Sequence, residues 1–291
     1  METVTDQNHQ ILIKRKGTEP VIRIHEKDGI YWLTYPELEK EKKILHGFST
    51  RLGGVSKEHL YSMNLSFSRG DKEENVKENF KRIASAIGFL EEHMVFSHQT
   101  HTANIRKVTK DDWGKGYIKE RDYSDVDGLI TNEPEVVLTT FFADCVPIFL
   151  VDPVKNAIGL VHSGWRGTVG KISQAAILRM QEEYGSRPED ILAAVGPSIC
   201  QDCYEVSRDV ILEFQQHFEQ MHWKELFYEK PNGKYQLNLW KANEIILTEA
   251  GVRKEHISVT DLCTCCNPQL LYSHRASEGK RGNLAAFLML R

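Results

Sequence analysis

The sequence predicts an α+β fold, a single domain in which mixed β-sheet layers are flanked by helices. Three observations carry this. Strand-like and helix-like stretches are mixed along the chain without the strict alternation of a doubly wound sheet. No repeat, linker or low-complexity tract divides the 291 residues. Hydrophobic residues make up 41% and charged residues 27%, an ordinary globular balance that supports one sizeable core.

In chain order, residues 11–13, 21–24 and 31–33 read as short strands between charged or glycine turns. They are expected to complete the sheet as an N-terminal segment, residues 1–43, ahead of a main unit spanning 44–291. His46-Gly-Phe-Ser-Thr-Arg51, followed by Gly53-Gly54, reads as a strand entering a tight loop. Val76, Phe80, Ile83, Ala84 and Ile87 fall on one helical face, and Gly88 is a C-terminal stop. Residues 95–105 read as a strand and 111–124 as a polar surface loop. Extended runs follow at 128–131, 136–142, 148–151 and 158–162, the last two joined as a hairpin by Asp152-Pro-Val-Lys-Asn156. Then come a helix over 171–184 closed by Gly185, a strand over 191–195, and a helix from an N-cap at Ser207 through Met221. A helix over 239–250, a strand at 257–260 and a final hairpin pairing 270–275 with 284–290 complete the chain.

A formal charge of −4 argues against a nucleic-acid partner, since phosphate backbones call for a basic surface. No run approaches the roughly 18 apolar residues of a membrane helix, and the polar first ten residues do not resemble a signal peptide, so a cytoplasmic location is expected. Six cysteines in such a chain point to thiols or metal ligands before disulfides.

The chemistry is expected within Phe141–Lys171, where Asp144-Cys145 interrupts one apolar run and His162 ends another. A hairpin closed around 152–157 sets Pro147 opposite His162 and Cys145 near Gly164. A neighbouring Cys and His allow three readings: a buried thiol with a satisfied histidine, a Cys-His nucleophilic pair, or a metal site of mixed S/N character that suits zinc and could hold copper. A metal needs further ligands, which His98 and His101 offer. On a strand their side chains point to opposite faces, and His101 shares its face with Val95, Ala103 and Ile105. It is therefore the expected inward ligand. One Cys and two His leave a tetrahedral position open, as a catalytic zinc requires.

Gly164, Gly167 and the helix start behind them form a candidate anion site, with Arg166 placed to clamp a phosphate. A second cluster, Cys200-Gln-Asp-Cys203 and Cys263-Thr-Cys265-Cys266, competes for metal. The paired spacing resembles a structural zinc site, but the second pair is read as departing from CxxC. Small core residues or redox-sensitive thiols are then the favoured reading, ahead of a four-cysteine zinc.

An ordered set of motifs adds to this: His46-Gly-Phe-Ser-Thr-Arg51 with Gly53-Gly54-Val55-Ser56, Gln99-Thr-His101, Asp127-Gly-Leu-Ile-Thr131, Ala143-Asp-Cys145-Val-Pro147, Val161-His-Ser-Gly-Trp-Arg-Gly167, Gly196-Pro-Ser-Ile199, Asp261-Leu-Cys-Thr264, and Ser273-His-Arg275 with Arg281-Gly282. Across residues 44–291 the chain resembles the laccase-domain purine nucleoside phosphorylase family, the YlmD/YfiH group. The resemblance implies the deamidase-toxin-like fold and a zinc held by His101, Cys145 and His162, with copper as a second candidate. It implies phosphorolysis of adenosine, inosine and 5'-methylthioadenosine, with adenosine deamination and a weaker copper-linked phenol oxidation as associated activities. On that reading Arg51, Arg166, Gly164 and Gly167 hold phosphate or ribose, and Asp144 orients a ligand or moves a proton. The partners are purine nucleosides and phosphate. The rival readings are a Cys-His hydrolase acting in peptidoglycan maintenance and a non-catalytic nucleotide sensor. The ending Ser273-His-Arg275 departs from the Ser-Tyr-Arg-Arg of many relatives.

Overall fold

Apolar runs with no polar alternation need cover on both faces, and this chain provides it by stacking two sheets between helices. The structure, a computed structural model, describes residues 12–291. Its strands begin with β1 Arg23–Lys27, β2 Ile30–Thr34, β3 Ile44–Ser49, β4 Met94–Phe96 and β5 Ile105–Lys107. They continue with β6 Gly128–Thr131, β7 Val137–Phe142, β8 Val146–Asp152, β9 Ala157–Ser163 and β10 Leu192–Val195. The last are β11 Glu205–Val206, β12 Phe227–Glu229, β13 Tyr235–Leu237, β14 Ile257–Val259 and β15 Leu284–Leu290. The helices are α1 Pro36–Glu39, α2 Glu73–Ile87, α3 Trp165–Val169, α4 Ile172–Tyr184, α5 Arg208–His217, α6 Trp223–Leu226 and α7 Leu239–Glu249.

One six-stranded sheet runs β1-β2-β3-β15-β7-β4 and a second runs β14-β10-β8-β9-β6-β5; both mix parallel and antiparallel neighbours. A third, small sheet runs β11-β13-β12. The α+β expectation therefore holds, with two large sheets in one domain.

Strand alternation explains the layering. On β15, Leu284, Ala286, Leu288 and Leu290 enter the core between the sheets, where Phe149 and Val151 of β8 meet them. The alternate residues Ala285, Phe287 and Met289 face Val76, Phe80 and Ile83 of α2. Ile148 and Leu150 of β8 face the other way, onto Ile172 and Met180 of α4, Phe214 of α5 and Ile246 of α7. Each large side chain so buried contributes roughly 1.5–3 kcal/mol. The Tyr35 hydroxyl ties the layers by donating to the carbonyls of Val195 (2.7 Å) and Gly196 (2.9 Å).

The β8–β9 hairpin has the expected register, Pro147 opposite His162 and Asp152 opposite Ala157. Helix α2 ends at Gly88, whose φ of 103° suits a residue without a Cβ. Three expectations need correction. Residues 95–105 are not one strand: β4 stops at Phe96, β5 starts at Ile105, and His101 lies between them with φ of 64°. Residues 270–275 form no strand, because the Leu270 and Leu271 N–H groups turn back to the Asn267 carbonyl; β15 pairs instead with β3 and β7. Helix α5 ends at His217, four residues short of Met221, as Phe218 turns extended. The small sheet, made of very short strands, carried no readable pattern. The strand expected at 11–13 begins outside the described residues, and Leu12 and Ile13 lie in none. No helix among the described residues is long and apolar enough to cross a membrane.

Candidate metal centre

Two of the chain's crossings between the large sheets, at the same end, each carry one reactive side chain. Residues 97–104 lead from β4 in the first sheet to β5 in the second and carry His101. Residues 143–145 lead from β7 to β8 and carry Cys145. His162, near the end of β9, is the third member. The donor atoms of these residues lie within 4.8 Å of one another, with Cys145 Sγ 4.0 Å from His101 Nε2.

Asp127 organises the group. Its buried carboxylate accepts hydrogen bonds from the backbone N–H of Thr100 (3.0 Å), His101 (3.1 Å) and Thr102 (2.9 Å). Those three donors curl the first crossing around one anion, which is why this stretch cannot continue as a strand. The strand-parity argument for His101 therefore fails, although His101 and not His98 joins the group. His101 is also exposed, where an inward position was expected. His98 lies one loop away, its Nδ1 accepting the Asp125 N–H at 3.1 Å.

The same carboxylate lies 2.8 Å from His162 Nδ1, leaving Nε2 of that ring as the metal-facing nitrogen. Gln99 fastens the crossing to β7: its amide donates to the Phe141 carbonyl (2.7 Å) and its carbonyl oxygen accepts the Phe141 N–H (2.8 Å).

Electrostatics match the geometry. Burial opposes ionisation of Cys145, but the His162 charge and a hydrogen bond from His101 outweigh it and bring the thiol down to about 6. Burial likewise opposes a charged His162, yet Cys145 and Asp127 raise it to about 9. Asp127, despite desolvation, falls to about 2 through its bonds to His162 and the loop. Each of the two groups thus favours the charged form of the other.

A sulfur and two imidazole nitrogens are a zinc-type donor set, with copper also compatible. Gly164 leaves the space they need: a Cβ there would stand 2.8 Å from His101 Cδ2 and 3.2 Å from Cys145 Sγ. These residues fit a metal ion, and all three line a cleft of about 370 Å³. Phe67, Phe141 and Phe142 form apolar walls of that cleft, and Arg69, Arg121 and Arg281 bring three guanidinium groups to it. Burial and the nearby Arg69 charge lower Arg281 to about 10, and its buried Nε has no partner.

The other expected site residues lie elsewhere. The Arg51 guanidinium donates to the carbonyls of Tyr61 and Pro268, each at 2.8 Å, and stacks on Tyr272, so it braces a loop. Arg166 is exposed, lies over the Trp165 ring and is not among the residues lining the cleft. Gly167 packs against Ile172. Both Asp144 oxygens are engaged, one by Thr264 Oγ1 (2.6 Å) and one by the Arg275 N–H (2.7 Å), which fits a structural clamp better than a proton carrier. Of the anion-site residues, only Gly164 touches the group. The cleft arginines had no assigned role in the sequence: Arg281 entered only through the Arg281-Gly282 motif, and nothing local marks Arg69 or Arg121. Asp127 had a weak signal, a lone acid opening an apolar strand.

A family model described as multi-copper polyphenol oxidoreductase laccase matches residues 45–291. The chain is 38% identical over 254 residues to purine nucleoside phosphorylase YlmD of Bacillus subtilis, covering 86% of this chain and 90% of that protein. It is 31% identical over 264 residues to a purine nucleoside phosphorylase of Bacteroides thetaiotaomicron, covering 89% and 96%. The crystal structure of YlmD from Geobacillus stearothermophilus superposes with a TM-score of 0.86 at 35% identity, covering 94% of this chain and all of that one, 100%.

Proposed function

The chain belongs to the laccase-like YlmD/YfiH family, and on that premise we propose that it is a zinc-dependent purine nucleoside phosphorylase. Its substrates on this reading are adenosine, inosine and 5'-methylthioadenosine, split by phosphate into free base and ribose 1-phosphate. Adenosine deamination is a side activity. The observation that carries the proposal is the meeting, in one cleft, of a three-donor metal group, three arginines and aromatic walls. The names of the relatives support the same reading.

Each part of the cleft matches a need of the reaction. Phosphorolysis moves an anion onto C1' of the ribose while positive charge develops on the ring. A phosphate fixed beside that carbon is both nucleophile and electrostatic stabiliser. Arg69, Arg121 and Arg281 supply charge-assisted donors for it. Phe67 and Phe141 give a purine apolar surface to lie on. His101, Cys145 and His162 would hold the metal, and Asp127 keeps His162 turned so that Nε2 is the ligand. When bound, zinc supplies a Lewis acid at the cleft wall.

One observation favours a second reading. The thiolate–imidazolium character of Cys145 and His162 is also what a Cys-His nucleophile requires. Cys145→Ala inactivates the centre on either reading, so the metal separates the two. The phosphorylase reading expects site metal and nucleoside turnover to disappear together, measured by elemental analysis and base release on the same preparation. Full activity in metal-free wild-type protein would overturn it in favour of the hydrolase.

A further inference from the structure

Beyond Cys145, four of the remaining five cysteines converge on one point. Cys200 follows β10 and precedes a single turn of 3₁₀ helix, Gln201–Cys203, that brings Cys203 around beside it. Cys263 follows β14 and pairs with Ser198 in an isolated bridge, which sets the second arm against the first. The second arm does have a CxxC spacing, between Cys263 and Cys266, and Cys265 stands outside the group. Reading the second pair as departing from CxxC was therefore an error.

The four sulfurs lie within 4.8 Å of one another. Cys203 Sγ is 3.5 Å and Cys200 Sγ 4.0 Å from Cys266 Sγ. A tetrahedral zinc with Zn–S bonds of about 2.3 Å separates its sulfurs by about 3.8 Å, between those two distances. The backbone N–H groups of Cys200 (3.2 Å) and Cys266 (3.4 Å) point at Cys263 Sγ, as they would toward a thiolate that accepts them. Cys200 and Cys263 are buried. Lys16 approaches the cluster, held 2.8 Å from Asp202, and its charge is favoured by Cys200 and Cys266 as well as by Asp202. Such a cation offsets the surplus negative charge of four thiolates around one divalent ion.

We propose that Cys200, Cys203, Cys263 and Cys266 form a closed structural zinc site, separate from the His101–Cys145–His162 group. Zinc entry releases the thiol protons to solvent and changes no oxidation state. The site staples two arms that reach the other centre through Asp144. Thr264, inside the second arm, donates to Asp144 Oδ1. Arg275 donates its backbone N–H to Asp144 Oδ2 and its guanidinium to the Cys203 carbonyl at 3.0 Å. Asp144 directly precedes Cys145, so the staple fixes the crossing that carries a ligand of the candidate catalytic metal.

The test uses the full chain with His101→Ala and Cys145→Ala together, which removes two donors of the other group. Purified under reducing conditions, this variant should retain one zinc per chain by elemental analysis. Cobalt exchanged for that zinc should show the intense charge-transfer absorption of a tetrathiolate. Adding Cys200→Ser and Cys266→Ser should abolish the remaining zinc. Should those serine variants not fold, thiol titration of the His101→Ala, Cys145→Ala variant with an organomercurial serves instead, with its one zinc released as the cluster's four thiols react. A double variant without zinc, zinc insensitive to both the serine replacements and thiol titration, or a Cys203–Cys266 disulfide in the reduced preparation would overturn the proposal. Nucleoside turnover does not enter these readouts, so this proposal and the proposed activity fail independently.

Discussion

Asp127 Oδ1 lies 2.8 Å from His162 Nδ1, and the same carboxylate holds the loop that carries His101. One buried acid thereby sets the ring orientation of one candidate ligand and the backbone position of another. Asp127→Asn replaces the anion with an amide that must face N–H donors it cannot satisfy. Partners of metal-bound histidines are typically worth about 10–100-fold in metal affinity. The zinc concentration for half-maximal base release should rise by a factor in that range; an unchanged value would remove Asp127 from the site.

Gly164→Ala tests the packing of the same group. The added methyl would stand 2.8 Å from the His101 ring, closer than real contacts allow. Overpacking of this kind costs about 1–3 kcal/mol. Because His101 is exposed and free to swing aside, the strain should appear as weaker metal binding and lower kcat, with little change in Tm. A large fall in Tm with normal metal affinity would contradict the placement.

Arg281 and Arg51 have opposite assignments and give a paired test. Arg281→Ala removes a guanidinium from the cleft, and loss of a charge-assisted bond of about 1.5–3 kcal/mol predicts a rise of about 10–100-fold in KM for phosphate. Arg51→Ala leaves the Tyr61 and Pro268 carbonyls without their donor, so it should lower Tm and leave that KM alone. Steady-state kinetics at varied phosphate distinguish them. A phosphate effect confined to Arg51 would restore the assignment made from sequence.

His46 provides a pH signature away from the metal. It is buried and accepts the Tyr35 N–H at 2.9 Å on Nε2, and burial lowers it from 6.5 to about 4. Its folded value lies below its unfolded one, so the stability it supports is complete above pH 6.5 and is lost as pH falls toward 4. The shift corresponds to about 3 kcal/mol. His46→Gln, which keeps an acceptor and cannot titrate, should flatten urea-derived stability across that window. A variant with the same slope as wild type would contradict this.

What the sequence disclosed was local. The β8–β9 register followed from a turn and two apolar runs, so Cys145 and His162 could be set side by side before any fold was known. Helix α2 followed from one apolar face and a closing glycine. Long-range partners were not legible. Nothing near Arg51 says that it faces Pro268, and nothing near Arg281 says that it lines a cleft with Phe141. His101 was selected through a strand that does not exist, because the agent that bends its loop, Asp127, lies 26 residues further along. The two CxxC arms were both present, but only their meeting in space showed which cysteines pair.

The central claim is that this cleft transfers a ribosyl group from a purine to phosphate. Inosine and adenosine incubated with zinc-loaded protein, with and without phosphate, and followed by chromatographic separation of products, test it most directly. The account predicts hypoxanthine and adenine together with ribose 1-phosphate, formed only when phosphate is present. Inosine appearing from adenosine without phosphate as the main product, or no base release from zinc-loaded protein, would contradict it.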